Sequence, residues 1–321
     1  MHLTSREKEI ADVIRMEPLI SQEELARRFG ITRSSVAVHI SNLMRKGIIL
    51  GKGYVFNQQA SAVIMGESSI NINVREKNGH VSIDIKYGGS AFEMSRVLSN
   101  FGVNVKVITI VGNDKFGDEI INEYQKFGTD INNIYRHPEG HTSKKLLVNN
   151  VLQYKEGFCQ EDYQKTFNSK EWVAMNCEWL VVEPDFHDNL PSRMLEKAGD
   201  TPPFSCTFKN LKNPDEVPEV FKNFYLVALG IECTDCLDIY VEKGLDFVRK
   251  GLQNCIITDG SSTLVYITQH LVTDVSLLPN QKFDCQVGLP QLLAGTIYGL
   301  SCKYPLRQAV RIGIGSASVI D

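Results

Sequence analysis

Asp284-Cys285-Gln286-Val287-Gly288-Leu289-Pro290-Gln291-Leu292-Leu293-Ala294-Gly295 lies between a strand-like run that ends near Phe283 and a helix expected to begin near Pro290. Proline has a fixed φ and no backbone N–H, so it suits the first turn of a helix. It also has no acid-base chemistry. A strand passing into a helix through a Gly-containing loop is a common place for a ligand, because the helix N-terminus offers free N–H groups.

Upstream, apolar strand patterns alternate with helical ones. Ala62-Val63-Ile64-Met65-Gly66 reads as a buried strand, and Val81 to Ile85 alternates like a strand of a small projecting sheet. Tyr87-Gly88-Gly89-Ser90-Ala91 leads into a helix through Val97 and Leu98 to Gly102. Val105 to Val111 is another strand, and Gly112-Asn113-Asp114-Lys115-Phe116-Gly117-Asp118 opens the next helix. Further strands are expected at Trp179 to Val182, Tyr225 to Leu229 and Cys255 to Thr258. Such alternation predicts an α/β sheet covered by helices on both faces.

Most of residues 62–319 resembles the PfkB, or ribokinase-like, carbohydrate kinases. The resemblance is strongest over Gly88 to Gly117, with the double Gly, a helix, L-x-x-x-G, a strand and V-G-x-D-x-x-G in order. It implies a mostly parallel sheet flanked by helices, with a small β lid, over residues 62–321. In that family the final loop reads D-T-x-G-A-G-D. Its N–H groups hold the transferred phosphoryl group, and its last Asp is the general base. Here Asp284 is kept, Val287, Gly288 and Leu289 replace Gly-Ala-Gly, and Pro290 replaces the base, so no catalytic residue is assigned.

The same resemblance implies a ligand site at Asn71, Gly88, Gly89 and Glu93. Asn71 stands where the family has a sugar-binding Asp, and Glu93 where it has an Asn. An amide can still hold a hydroxyl, without charge assistance. Asp114 matches the family and can cap its helix. The phosphate-side N-x-x-E motif is missing near Gly230-Ile231-Glu232-Cys233, and the nucleotide turn Gly260-Ser261-Ser262-Thr263 keeps only its first Gly.

Residues 1–57 read as a separate module. Thr4-Ser5-Arg6-Glu7 and Ser21-Gln22-Glu23-Glu24 are capping boxes, so each should start a helix. Gly30 ends the second helix, Thr32 can cap a third, and Val36, Ile40 and Leu43 share one face of that third helix. Gly47 to Phe56 reads as two short strands around Gly51-Lys52-Gly53. The pattern is a winged helix-turn-helix, and it resembles the N-terminal module of some PfkB-family members. Arg33, Ser34, Ser35 and Asn42 on the third helix, with Lys52 at the wing, are the expected DNA contacts. A three-helix protein-interaction module is the alternative.

Composition fits a soluble two-domain protein of 321 residues, with 43% apolar and 22% charged residues. Net charge is −4, divided as +3 over residues 1–56 and −7 over the rest. A basic module on an acidic body favours a polyanion partner for the module alone. There is no apolar run of membrane-spanning length and no apolar signal core, so a cytoplasmic location is expected. The eight cysteines are scattered, and Cys233-Thr234-Asp235-Cys236 is a lone C-x-x-C without a nearby His. Packing explains it better than zinc, and no metal site is assigned.

Two functional readings remain at this stage. One is a DNA-binding regulator, acting as a homodimer on double-stranded DNA. Its kinase-like domain senses a sugar- or nucleoside-like ligand without phosphorylating it and without a cofactor. The other is a working sugar or nucleoside kinase, using ATP and Mg²⁺, with a DNA-binding module attached.

Overall fold

The computed structural model describes residues 4–17, 20–45, 49, 60–77, 80–149, 151–189, 203–232 and 236–318. The chain divides into one compact unit of Met1–Gln59, with Gly199–Thr201, and a second of Ala60–Ala198 and Pro202–Asp321.

The first unit contains helices α1 (Ser5–Met16), α2 (Gln22–Phe29) and α3 (Arg33–Arg45). Each start is set locally. Thr4 and Glu7 form a reciprocal capping box, Thr4 Oγ1 accepting from Glu7 N at 3.2 Å and Glu7 accepting from Thr4 N at 2.7 Å. Ser21 Oγ accepts from Glu24 N, and Thr32 Oγ1 accepts from Ser35 N. Gly30 ends α2 in the left-handed region at φ 61°, a conformation that costs glycine little. The helices close over Ile10, Ile14, Leu25, Val36, Ile40, Leu43 and Ile49. A core this small has no reserve, so Leu25→Ala, at a fully buried position, should cost about 2–5 kcal/mol. Loss of a separate helical unfolding transition by circular dichroism would show it. Apart from Ile49, the expected wing hairpin, including Lys52, lies outside the described residues.

The second unit runs β1 (Ala60–Met65), β2 (Ser69–Lys77), β3 (His80–Gly88), α4 (Ser90–Asn100), β4 (Val105–Gly112), α5 (Lys115–Lys126), β5 (Ile134–His137), β6 (Lys144–Val148), β7 (Val151–Glu156), α6 (Gln160–Ser169), α7 (Glu171–Met175), β8 (Cys177–Val182), β9 (Phe204–Leu211), β10 (Leu226–Ile231), α8 (Leu237–Lys250), β11 (Asn254–Thr258), β12 (Thr263–Thr268), β13 (Val272–Ser276), α9 (Cys285–Ser301) and α10 (Leu306–Ala317). The main sheet has nine strands in the order β13-β12-β11-β10-β9-β8-β1-β4-β5. From β11 to β5 every neighbour pair is parallel, and β12 and β13 extend it antiparallel. A second sheet, β3-β2-β6-β7, projects as a lid.

Central strands that are apolar on both faces over much of their length explain why both faces of the main sheet are covered. Ala62 and Ile64 pack with α4, α5, α9 and α10, whereas Val63 and Met65 pack with α6, α7 and α8. The strand order reverses between β1 and β8. Ligands of open α/β sheets bind outside the strand C-termini at such a point, and there β1 delivers Glu67 and β8 delivers Glu183.

Asp114 caps α5, as expected, its Oδ1 accepting from Gly117 N at 2.8 Å. One boundary is corrected. The last long helix starts at Cys285, not near Pro290. Asp284 is its N-cap, so Pro290 sits inside the helix rather than in its opening turn. The proline still forfeits one helical hydrogen bond, which the buried packing of Leu289, Leu292 and Leu293 offsets.

Candidate functional site

The loop expected to carry catalysis is folded into the start of α9. Asp284 Oδ1 accepts from Gln286 N at 2.8 Å, and the Asp284 carbonyl accepts from Val287 N at 3.2 Å and Gly288 N at 2.7 Å. These N–H groups belong to the loop that the family uses to hold an anion, and each already has a partner in Asp284. The Phe283 ring fills the space beside Gly288, where an added Cβ would lie 2.6 Å from it. Val287 is exposed, while Leu289 and Pro290 are buried. Burial, with Asp259 and Asp284 near, pushes the Cys285 thiol up to about 12, so it carries no thiolate at neutral pH.

The turn between β11 and β12, on the nucleotide side of the resemblance, is closed in the same manner. Asp259 Oδ1 accepts from the backbone of Ser261 at 2.9 Å, Ser262 at 2.9 Å and Thr263 at 3.3 Å. A carboxylate on the chain thus occupies donors that could otherwise meet a phosphate. Gly230 and Ile231 are buried at the end of β10 and Glu232 is exposed; Cys233 of the C-x-x-C lies outside the described residues, and Cys236 is half-buried.

On the sugar side, Asn71 of β2 packs directly over Gly88 of β3. A Cβ at Gly88 would lie 2.3 Å from Asn71 Nδ2. Gly89 has φ 92°, and a Cβ there would meet Glu67 O at 2.3 Å. The glycines therefore admit the chain's own Asn71 and Glu67. Glu93 Oε2 accepts from Arg96 Nη2 at 2.9 Å and from Gln291 Nε2 at 3.1 Å. Gln291 follows Pro290, so Glu93 ties α4 to α9.

Sequence reasoning missed the charged centre beside these residues. Glu183 Oε2 accepts from Glu67 N at 2.5 Å and from Ser90 Oγ at 2.6 Å. Glu67 Oε2 meets Lys145 Nζ at 2.6 Å and, more loosely, Lys155 Nζ at 3.8 Å. Burial pushes Lys145 down, but Glu67, Glu183 and Asp185 together more than offset this and leave it above its ordinary value. A carboxylate just past the apolar end of each strand, Glu67 after Met65-Gly66 and Glu183 after Val182, was the available signal.

Burial first, and Glu67 second, push the Glu183 carboxyl above its ordinary 4.5. A raised carboxyl contributes stability that is complete below the unfolded value and is lost as pH rises through the folded one. Glu183→Gln cannot ionise, yet its amide oxygen still accepts from Glu67 N. Its melting temperature relative to the parent should rise between about pH 4 and pH 7. A difference that shrinks over that range would contradict this.

In the first unit, α3 presents Arg33, Ser34, Ala37, Val38, Ser41 and Arg45 to solvent. Among the described residues Arg33 makes an exposed ion pair with Glu23 at 3.6 Å. Ser35 is turned inward to Thr32, with Oγ atoms 2.9 Å apart, and Asn42 accepts from Arg45 at 2.9 Å. Arg33 and Ser34 therefore stand free for a duplex more than Ser35 and Asn42 do. Among the described residues no helix is long and apolar enough to cross a membrane, and no group of His, Cys, Asp or Glu could hold a metal ion.

Comparison with known proteins agrees with both units. The winged helix-turn-helix DNA-binding profile matches residues 5–49, and the pfkB family carbohydrate kinase profile matches residues 59–225. The chain is 33% identical over 157 residues to "Uncharacterized sugar kinase YeiI" of Escherichia coli (strain K12). That match covers 46% of this chain and 43% of the relative, so the chain spans under half of that protein. The fold is similar to a Methanocaldococcus jannaschii nucleoside kinase of the ribokinase family, with TM-score 0.62, 16% identity, and 82% of this chain and 92% of that one covered. It is similar as well to a Burkholderia thailandensis nucleoside kinase in complex with inosine, with TM-score 0.65, 12% identity, and 80% and 90% covered. Ribokinase from Thermotoga maritima gives TM-score 0.61 at 14% identity, with 81% and 92% covered. The chain belongs to the pfkB family of carbohydrate kinases and carries a winged helix-turn-helix DNA-binding domain ahead of its ribokinase-like domain.

Proposed function

We propose that this protein is a DNA-binding transcriptional regulator whose ribokinase-like domain senses a small sugar- or nucleoside-like ligand without phosphorylating it. The observation that carries this reading is the start of α9. There Asp284 takes up the N–H groups of Gln286, Val287 and Gly288, and Pro290 is buried at the position of the family's base. The sensing residues are Asn71, Gly88, Gly89 and Glu93, with no cofactor. A ligand between β2 and the start of α4 would pull on the Glu93–Gln291 tie. It regulates only through different affinities for two states of the protein.

The protein works as a homodimer on a two-fold operator in the cytoplasm. Edge strands β3 and β7 of the lid leave Val81, Ile83, Ile85, Val151 and Tyr154 exposed on one face by register, an apolar face that a second copy would cover. Membership of a kinase family favours a second reading, an active sugar or nucleoside kinase using ATP and Mg²⁺ and carrying a DNA-binding module.

DNA binding is tested by selection from random duplexes at low salt. One sequence class should be enriched, and Arg33→Ala should weaken it by about 1–3 kcal/mol if the guanidinium makes a bidentate base contact. A pool that stays random would remove the regulator reading.

A further inference from the structure

The last two helices carry positive charge that the chain itself does not use. From Cys285 to Ser318 the sequence holds Lys303, Arg307 and Arg311 and no Asp or Glu. It does so in a unit that is acidic as a whole. All three residues are exposed, and among the described residues none makes an ion pair.

Local structure opposes two of these charges. Arg307 lies in the first turn of α10, a turn without an acidic residue. The helix dipole favours a carboxylate there and disfavours a cation. Arg307 and Arg311 are also four residues apart on one helix, a spacing at which like charges repel. Lys303 gains from the C-terminus of α9, but the two arginines gain nothing from their own helix. An external anion would reverse both penalties.

Aromatic rings adjoin the cations. Phe101, the C-cap of α4, stacks on Tyr298 of α9 with centroids 4.3 Å apart and planes within 5° of parallel. Phe101 and Tyr304 are 40% and 41% exposed. Arginine, lysine and tyrosine side chains are groups that hold the phosphates and sugars of nucleic acid.

The place matters as well. The end of α4 and the α9–α10 turn lie where the parallel strands begin, at the opposite end of the sheet from Glu67 and Glu183. The chain enters the second unit at this same end. Ser61 N and Ala62 N donate to Asn104 O, just ahead of β4, at 3.1 and 3.2 Å. The first unit is joined to the second here, through Ala60, and a duplex bound by the first unit is a polyanion.

We propose that Lys303, Arg307 and Arg311 form a second DNA contact, which holds phosphates of the duplex beside the sequence that the first unit reads. The contact adds affinity and carries no sequence information. It rests on DNA binding by the first unit and is independent of any small ligand.

Fluorescence anisotropy of the full chain on a labelled, mixed-sequence duplex of about 40 base pairs tests it over about 50–200 mM salt, because each phosphate contact steepens the fall of log K with log salt by about 0.9. Arg307→Gln combined with Arg311→Gln should flatten that slope by about 1–2 and weaken binding about tenfold or more. Arg307→Lys with Arg311→Lys keeps both charges and should recover most of the parent's slope. Lys115→Gln removes an exposed cation at the start of α5, at the other end of the sheet, and should bind as the parent does. A parent that binds no duplex overturns this contact and the DNA-binding reading together. A parent that binds, with a folded Gln double variant of unchanged slope and affinity, overturns the contact alone and leaves the patch to an acidic protein partner. A loss shared equally by Lys115→Gln overturns it too, because the effect is then one of net charge.

Discussion

Incubated with ATP, Mg²⁺ and a panel of sugars and nucleosides, the protein is expected to yield no phosphorylated product, and Pro290→Asp is expected to restore none. Loss of a general base alone costs typically 10²- to 10⁴-fold in rate, and loss of one preorganised oxyanion donor about 10²- to 10³-fold. Here both defects coincide. The donors at Gln286, Val287 and Gly288 are bonded to Asp284, and the turn after β11 is bonded to Asp259. Pro290 is buried in α9, so an Asp there would be an unpaired carboxylate in the interior. Uncompensated buried charges cost about 3–5 kcal/mol, and the variant should unfold at lower denaturant. Turnover by the parent at roughly 1–100 s⁻¹, the ordinary range for kinases, would overturn the non-catalytic reading.

Gly89→Ala is expected to destabilise the second unit by about 3 kcal/mol or more, from a strained φ and a steric clash together. The φ of 92° disfavours any side chain, and the new Cβ would sit 2.3 Å from Glu67 O. That oxygen accepts from Ala91 N at 3.1 Å and anchors the first turn of α4 to the end of β1. The same backbone carries Glu67 N to Glu183. The damage should therefore reach the charged centre as well as the helix. Equilibrium denaturation should show the midpoint falling with the slope unchanged. A variant as stable as the parent would mean that this close approach is not what the glycine is for.

How much was legible in the sequence depended on how far apart the partners lie. Caps were readable because they are local. Thr4 with Glu7, Ser21 with Glu24 and Thr32 with Ser35 are each three residues apart. The sheet was readable because a strand such as Ala62 to Met65 is apolar on both faces and can only be central. The charged centre was not readable, because Glu67 and Glu183 are 116 residues apart and Glu93 and Gln291 are 198 apart. No local pattern announces such a pair. The start of α9 was misplaced because proline normally marks a first turn. Here Asp284, with both its side chain and its carbonyl, caps the helix from further upstream.

The most direct test of a non-phosphorylating, ligand-sensing regulator is a fluorescence-anisotropy titration of the selected duplex. It is run with each sugar and nucleoside of the panel, with and without ATP and Mg²⁺. The structure predicts that one compound shifts the apparent Kd in the absence of ATP, and that adding ATP and Mg²⁺ changes nothing further. A DNA affinity that responds only when ATP and Mg²⁺ are present, with phosphorylated product accumulating alongside, would contradict it.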